Sequence, residues 1–194
     1  VAPVAPLAPA AAADKPHHSH HHHTRDGDRS VDTQFLSKTE VSAWATNVAS
    51  DKPKQGDTKD HMNLFLSREF HGKCQERSIR ALHNVVDTMC FEEVHVVGVM
   101  EAFEVRLMAE QEESPENAIY VWYALDSFLK HIRNNSKFLA VVSSSLPHFV
   151  QKYIPWSGPA DELEPFLGMT KTWRHFMAKD VMALVQSLND AVRT

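Results

Sequence analysis

A carboxylate stands in the middle of the largely apolar run NAIYVWYALDSFLKHIRNNS (117–136), beside the side chains of this chain best suited to chemistry. On a helix, Tyr123, Asp126, Ser127 and Lys130 fall at i, i+3, i+4 and i+7 and share one stripe. Val121, Leu125, Phe128 and Ile132 fall largely on the other side and can face a core. A carboxylate flanked by a tyrosine and a serine, with a lysine one turn on, makes a small polar patch. Such a patch can accept a hydrogen bond from a ligand hydroxyl. The plain alternative is an Asp126–Lys130 surface pair, worth a few tenths of a kcal/mol. Spacing alone favours the surface pair.

Three other groupings carry less. His71-x-x-Cys74 and Cys90-x4-His95 have zinc-like spacings. The intervening QERSIRALHNVVDTM reads as one helix, which holds the two halves about 24 Å apart at roughly 1.5 Å per residue. One zinc ion cannot bridge that distance. Ser143, Ser144 and Ser145 lie near His148, but no glycine-lined elbow or phosphate loop accompanies them, which argues against an enzyme. The stretch from Glu92 to Glu116 holds eight glutamates against Arg106 alone. It reads as the solvated face of a helix that repels nucleic acid.

The elements that must position these residues are helical. Apolar stripes recur at helical spacing: Ile79, Leu82, Val86 and Met89, then Val96, Met100, Phe103 and Leu107. They predict helices near 60–71, 75–89, 91–111, 117–133, 137–153 (broken near Pro147), 160–175 and 177–191. Seven or eight short helices with brief turns imply an all-α superhelical array rather than a four-helix bundle. The seven methionines read as core filler at these spacings. Trp173, after Phe166 and Met169, is expected in the core.

Before this domain come two segments of different character. Residues 1–34 combine an Ala/Pro tract, six histidines between 17 and 23, and a polar run, and are expected to be disordered. No metal is assigned to the His tract. In 35–59, Ser37 and Glu40 form a capping-box pattern, and Val41, Trp44, Ala45 and Val48 share one face of a short helix over 39–50. A polar linker with Pro53 and Gly56 follows over 51–60. The first residue is Val rather than Met, so the chain is expected to be a fragment or processed product.

Bulk composition narrows the function. A formal charge of −5 argues against general nucleic-acid binding. No apolar run approaches the length of a membrane span. Two cysteines without a secretory signal fit a reducing compartment and free thiols.

The stretch VWYALDSFLKH resembles the fourth helix of the RNA polymerase II CTD-interacting domain (CID) family, usually close to L-Y-L-x-D-S-[IV]-x-K-N. Tyr123, Asp126, Ser127 and Lys130 match that form, and His131 stands where asparagine is common. MTKTWRHFMAKDVM (169–182) is similar to the family's leucine-rich helix ending in tryptophan, with its following turn and final helix. SIRALHNVVDTM and VVGVMEAFE sit at the family's spacing for its second and third helices. The resemblance covers about 60–194 and is nearest to the cleavage and termination factor branch.

The resemblance implies a right-handed superhelical array of about eight helices, related to the VHS and ENTH domains of membrane traffic. It implies a groove that takes heptad repeats (Tyr-Ser-Pro-Thr-Ser-Pro-Ser) of the polymerase tail, unmodified or phosphorylated. The aspartate matching Asp126 then accepts a hydrogen bond from the peptide tyrosine, in a pocket between the second, fourth and seventh helices. Tyr123, Ser127, Lys130, His131 and Lys171 are the other expected peptide contacts. The implied partners are the tail of the largest polymerase subunit and other 3′-end processing or termination factors in the nucleus, with no cofactor, no metal, no membrane and no direct nucleic-acid contact.

Two departures bear on phosphate recognition. Gly168 stands where strong phosphoserine readers carry arginine, and Cys74-Gln75-Glu76 replaces the Asn-Ser-Lys that often opens the second helix. Lys171, Arg77 and Arg80 are the nearby substitute cations. A VHS/ENTH-type adaptor is a competing function, but phosphoinositide binding needs a basic patch. Residues 60–194 hold 13 Lys/Arg against 18 Asp/Glu. A scaffold that has kept the fold and serves another partner through the 39–50 helix is the other alternative.

Overall fold

The computed structural model describes residues 55–193. The 1–34 segment, its His tract and the 39–50 helix lie outside the described residues. Within them the chain forms α1 (Gln55–Glu69), α2 (Glu76–Met89), α3 (Glu93–Glu113), α4 (Ala118–Ile132), α5 (Ser136–Tyr153), α6 (Ala160–Thr170) and α7 (Lys179–Arg193). Short 3-10 helices at Pro115–Asn117 and Lys171–His175 precede α4 and follow α6. The described residues contain no strand, so the fold is the expected all-α array of short helices.

Each junction has a local cause. Gly72, at φ 67°, turns the chain between α1 and α2 in the left-handed region that glycine adopts without a Cβ penalty. At the start of α3, the Glu92 side chain accepts the His95 backbone N–H, and His95 Nδ1 accepts the backbone N–H groups of Phe91 and Glu92, each at 3.1 Å. Asn135 caps α5 by accepting the Phe138 N–H at 3.1 Å. His71 and His95, half of the zinc-like grouping, therefore have other partners: His71 meets Glu110 at 2.9 Å.

Three expectations about these elements need correction. The linker expected over 51–60 ends early, because α1 begins at Gln55. Thr58 and Met62 are fully buried, and that burial holds the first turn helical despite Gly56. The break expected near Pro147 is absent: α5 runs as one helix through it. Proline removes one ladder bond, but Val142, Leu146, Phe149, Val150 and Tyr153 are buried on both sides of it, and packing outweighs the loss. The helix expected over 160–175 changes to 3-10 geometry after Thr170.

The core runs along α4, which packs against α2, α3, α5 and α6. Val121, Leu125, Phe128 and Ile132 are buried as expected, together with Ala118, Trp122, Ala124 and Leu129. Phe128 meets Phe103 of α3 at 5.7 Å between ring centroids, and Trp122 meets Phe166 of α6 edge-on at 6.1 Å. Met62, Met89, Met100 and Met169 fill the core, but Met108 is exposed. The acidic stretch is mostly solvated, with one exception. Glu110 is fully buried, paired with Arg106 at 2.9 Å and with His71.

Candidate functional site

A helix packed on four neighbours has little room for a carboxylate, and Asp126 is accommodated by two donors. The Trp173 indole N–H donates to Asp126 Oδ1 at 2.9 Å, and Lys130 Nζ donates to Oδ2 at 2.7 Å. The Asp126 side chain keeps 14% of its surface exposed, and Lys130 keeps 38%. The i,i+4 pair that spacing favoured is therefore present, with Trp173 as a second partner. Trp173 itself is fully buried, in the 3-10 turn after α6. Asp126 thus ties α4 to that turn. Each carboxylate oxygen accepts more than one hydrogen bond, so the exposed edge of Asp126 can still take a hydroxyl.

Ser127 and His131 look the other way, toward α2. His83 Nε2 and Ser127 Oγ are 2.9 Å apart, and His131 Nε2 and Asp87 Oδ1 are 2.6 Å apart. His83 and Asp87 are one turn apart on α2, as Ser127 and His131 are on α4. The two pairs lock parallel helices in register. The His83 and His131 rings also stack at 4.2 Å with planes 9° apart. Burial, then the adjacent His131, lowers the His83 pKa below its ordinary value, against smaller opposing effects of Ser127 and Asp87.

The expected site residues thus divide. Asp126 and Lys130 lie on the side of α4 toward the Trp173 turn, and Ser127 and His131 on the side toward α2, so the stripe expected from spacing splits into two adjacent rows. Tyr123 lies one turn before Asp126, 36% exposed, and its hydroxyl makes no hydrogen bond among the described residues. Lys171 is exposed at the head of the turn that carries Trp173. No side-chain bond joins Lys171 to either row among the described residues. His83, Asp87 and the Trp173 indole are the members that the sequence reading missed. The i,i+4 spacing of His83 and Asp87 was a visible signal of a polar face on α2.

Beyond His131 an open cavity of about 590 Å³ lies where the ends of α2 and α4 meet the start of α5. Asp87, His131, Asn134, Asn135 and Lys137 line it, with Phe138 and Cys90. The substitute cations, at the other end of α2, are engaged: Arg80 pairs with Glu76 at 2.7 Å, and Arg77 Nε donates to Gln75 at 2.7 Å. Gly168 is exposed on α6, and a Cβ built there meets nothing within 4 Å. His148 of the serine-rich stretch pairs with Glu104 at 2.9 Å. Burial pushes the Glu104 carboxyl up, but hydrogen bonds from Tyr153 and His148 and nearby positive charge outweigh it and hold the pKa low. Among the described residues no helix is long and apolar enough to cross a membrane.

No protein-family model matches this chain, and neither a curated protein nor a solved structure gives a significant match.

Proposed function

We propose that residues 60–194 form a peptide-binding module of the CID type, which takes heptad repeats of the RNA polymerase II tail. In this reading it docks a 3′-end processing or termination factor on the polymerase in the nucleus. It acts as a scaffold and catalyses nothing. The observation that carries the reading is the Asp126 carboxylate, held by Trp173 and Lys130 yet open at one edge. A preorganised carboxylate accepts a tyrosine hydroxyl without first paying to order itself, and such charge-assisted bonds are worth roughly 1.5–3 kcal/mol. The exposed Tyr123, the α2–α4 row and the cavity beyond His131 supply a surface for the rest of a heptad folded as a β-turn.

Labelled heptad peptides, unmodified and phosphorylated at each serine, test the proposal by titration. Asp126→Asn keeps an acceptor for Trp173 and is expected to weaken binding about tenfold, since roughly 1.4 kcal/mol is tenfold. Phenylalanine in place of the peptide tyrosine should lose a similar amount, with the two losses less than additive. Undiminished binding by Asp126→Asn, or no binding by the parent, removes the reading. A scaffold serving a different protein partner then takes its place. Gly168 and the Glu76–Arg80 pair favour that second reading, because both subtract cations from a phosphate path.

A further inference from the structure

A second cleft, of about 520 Å³, opens where the turn before α4 meets the end of α5 and the middle of α6. Its floor is apolar, with Ile119, Pro155, Pro165 and Phe166, and Glu116 and Glu162 stand at its edge. Ile119 is about 10 Å along α4 from Asp126 at roughly 1.5 Å per residue, so the polar row lies beyond it. Glu162 is exposed, and its carboxylate lies over Gly158, where an added Cβ would stand 2.8 Å from Oε2. The tyrosine at the inner wall, Tyr153, is buried and donates its hydroxyl to Glu104 at 2.8 Å, so it presents no polar group to the cleft.

The surrounding charge is one-sided. Neither 107–129 nor 153–170, which build most of the cleft, contains a lysine or arginine. The exposed carboxylates Glu112, Asp161 and Glu164 extend the acidic field beyond the two at the edge. The neighbouring cation, Lys152, stands 4.9 Å over the Tyr153 ring and 3.8 Å from Glu104, so the rim stays acidic on balance. An apolar depression inside a net acidic rim selects its occupant on two counts. The floor takes a single large apolar side chain by burial, and the rim attracts cations flanking it and repels acidic sequences.

We propose that this cleft docks a basic segment of a partner protein, with one apolar anchor residue seated on Ile119 and Phe166 and lysines or arginines against Glu116 and Glu162. This site is independent of the proposed tail-binding row, and its ligand has the opposite charge to a phosphorylated tail.

The probe is the synthetic peptide acetyl-Lys-Arg-Leu-Lys-Arg-amide, titrated into the full chain at low salt while amide chemical shifts are followed. Saturable shifts are expected at 116–119 and 162–166. Glu116→Lys with Glu162→Gln should weaken binding about tenfold, as should raising the salt, since rim charges are screened beyond about a Debye length. Replacing the probe's leucine by serine should cost a comparable factor, and Asp126→Asn should cost nothing. Absent or non-saturable shifts at the cleft overturn the proposal, as does equal binding by the serine probe, which would leave only diffuse charge attraction. Should the double variant fail to fold, the serine probe on the parent chain still decides.

Discussion

The Trp173 indole donates to Asp126 Oδ1 at 2.9 Å across 47 residues of sequence, from a ring with no exposed surface. This bond explains why a carboxylate is tolerated on the most enclosed helix. Leaving a buried indole N–H without an acceptor costs free energy, and Asp126 supplies one to Trp173 while its other oxygen faces Lys130 near solvent. The polar residue in the apolar run is thus structural first, and any ligand contact uses what is left over.

Asp126→Ala should therefore destabilise the fold by about 1–3 kcal/mol, the usual cost of leaving a buried donor unpaired. Asp126→Asn should cost less, because the amide oxygen still accepts from Trp173. Trp173→Ala should cost about 3–5 kcal/mol through the cavity it leaves. In a Trp173→Phe background, Asp126→Ala should become milder, since the donor is gone. Denaturant unfolding measures all four. Equal stability of Asp126→Ala and the parent would mean that the bond contributes nothing.

The His83–His131 stack predicts a pH dependence of stability. Burial and the neighbouring His131 lower the folded His83 pKa below its ordinary value of 6.5. Between the two values the unfolded chain binds more protons, so stability rises with pH there. The contribution is complete above about pH 6.5 and is lost as pH falls through the lowered value. His83→Gln keeps a partner for Ser127 and should flatten this part of the profile. Asp87 and His131 remain in both proteins, so the difference between the two profiles reports His83 together with its coupling to His131. Parallel profiles would refute the assignment.

Helix positions were most legible where apolar residues keep to one face, as Leu82, Val86 and Met89 do on α2 and Val181, Val185 and Leu188 on α7. The turn of α1 before residue 60 was not, because Gly56 and its polar neighbours look like a linker until the burial of Thr58 and Met62 is known. Pro147 misled for the same reason, since local propensity yielded to packing. At the site, Asp126 and Lys130 were readable from spacing within one helix. Trp173 was placed in the core by its sequence, but nothing in a periodicity links it to a residue 47 positions away. His83 and Asp87 had a visible spacing whose meaning depended on the register of α2 against α4. Glu110 shows the limit most plainly: a run of glutamates hides the one that turns inward.

Thiol reactivity offers a separate check on the packing of α2. Burial, then the charge of Asp87, pushes the Cys90 thiol up to about 12, and burial also raises Cys74. The thiolate is the reactive form. In native protein near pH 8, a disulfide reagent should modify the half-buried Cys74 slowly and Cys90 only on unfolding. Cys74→Ser should release almost no reactive thiol until denaturant is added. Rapid labelling of that variant would show that the end of α2 opens readily.

Gly168 gives the last prediction, because it separates the fold from the proposed ligand. The residue sits inside α6, exposed, with open space where a side chain would start. Gly168→Arg should therefore be accommodated without a clash. It should raise stability by up to about 1 kcal/mol, the usual difference between glycine and a good helix former. A destabilised variant would contradict this placement of α6. The same substitution adds a fork-shaped cation a few residues before Lys171 and Arg174, which are both exposed. If the groove receives phosphoserine, affinity for the phosphorylated heptad should rise roughly five- to tenfold, equivalent to about 1–1.4 kcal/mol. The gain should shrink as salt is raised, while binding of the unmodified heptad stays nearly constant. A variant that is stabilised, binds unmodified peptide as before and gains nothing with phosphate would place the phosphate path away from α6. Loss of all peptide binding with an intact fold would instead put Gly168 under the peptide itself, where only glycine leaves room.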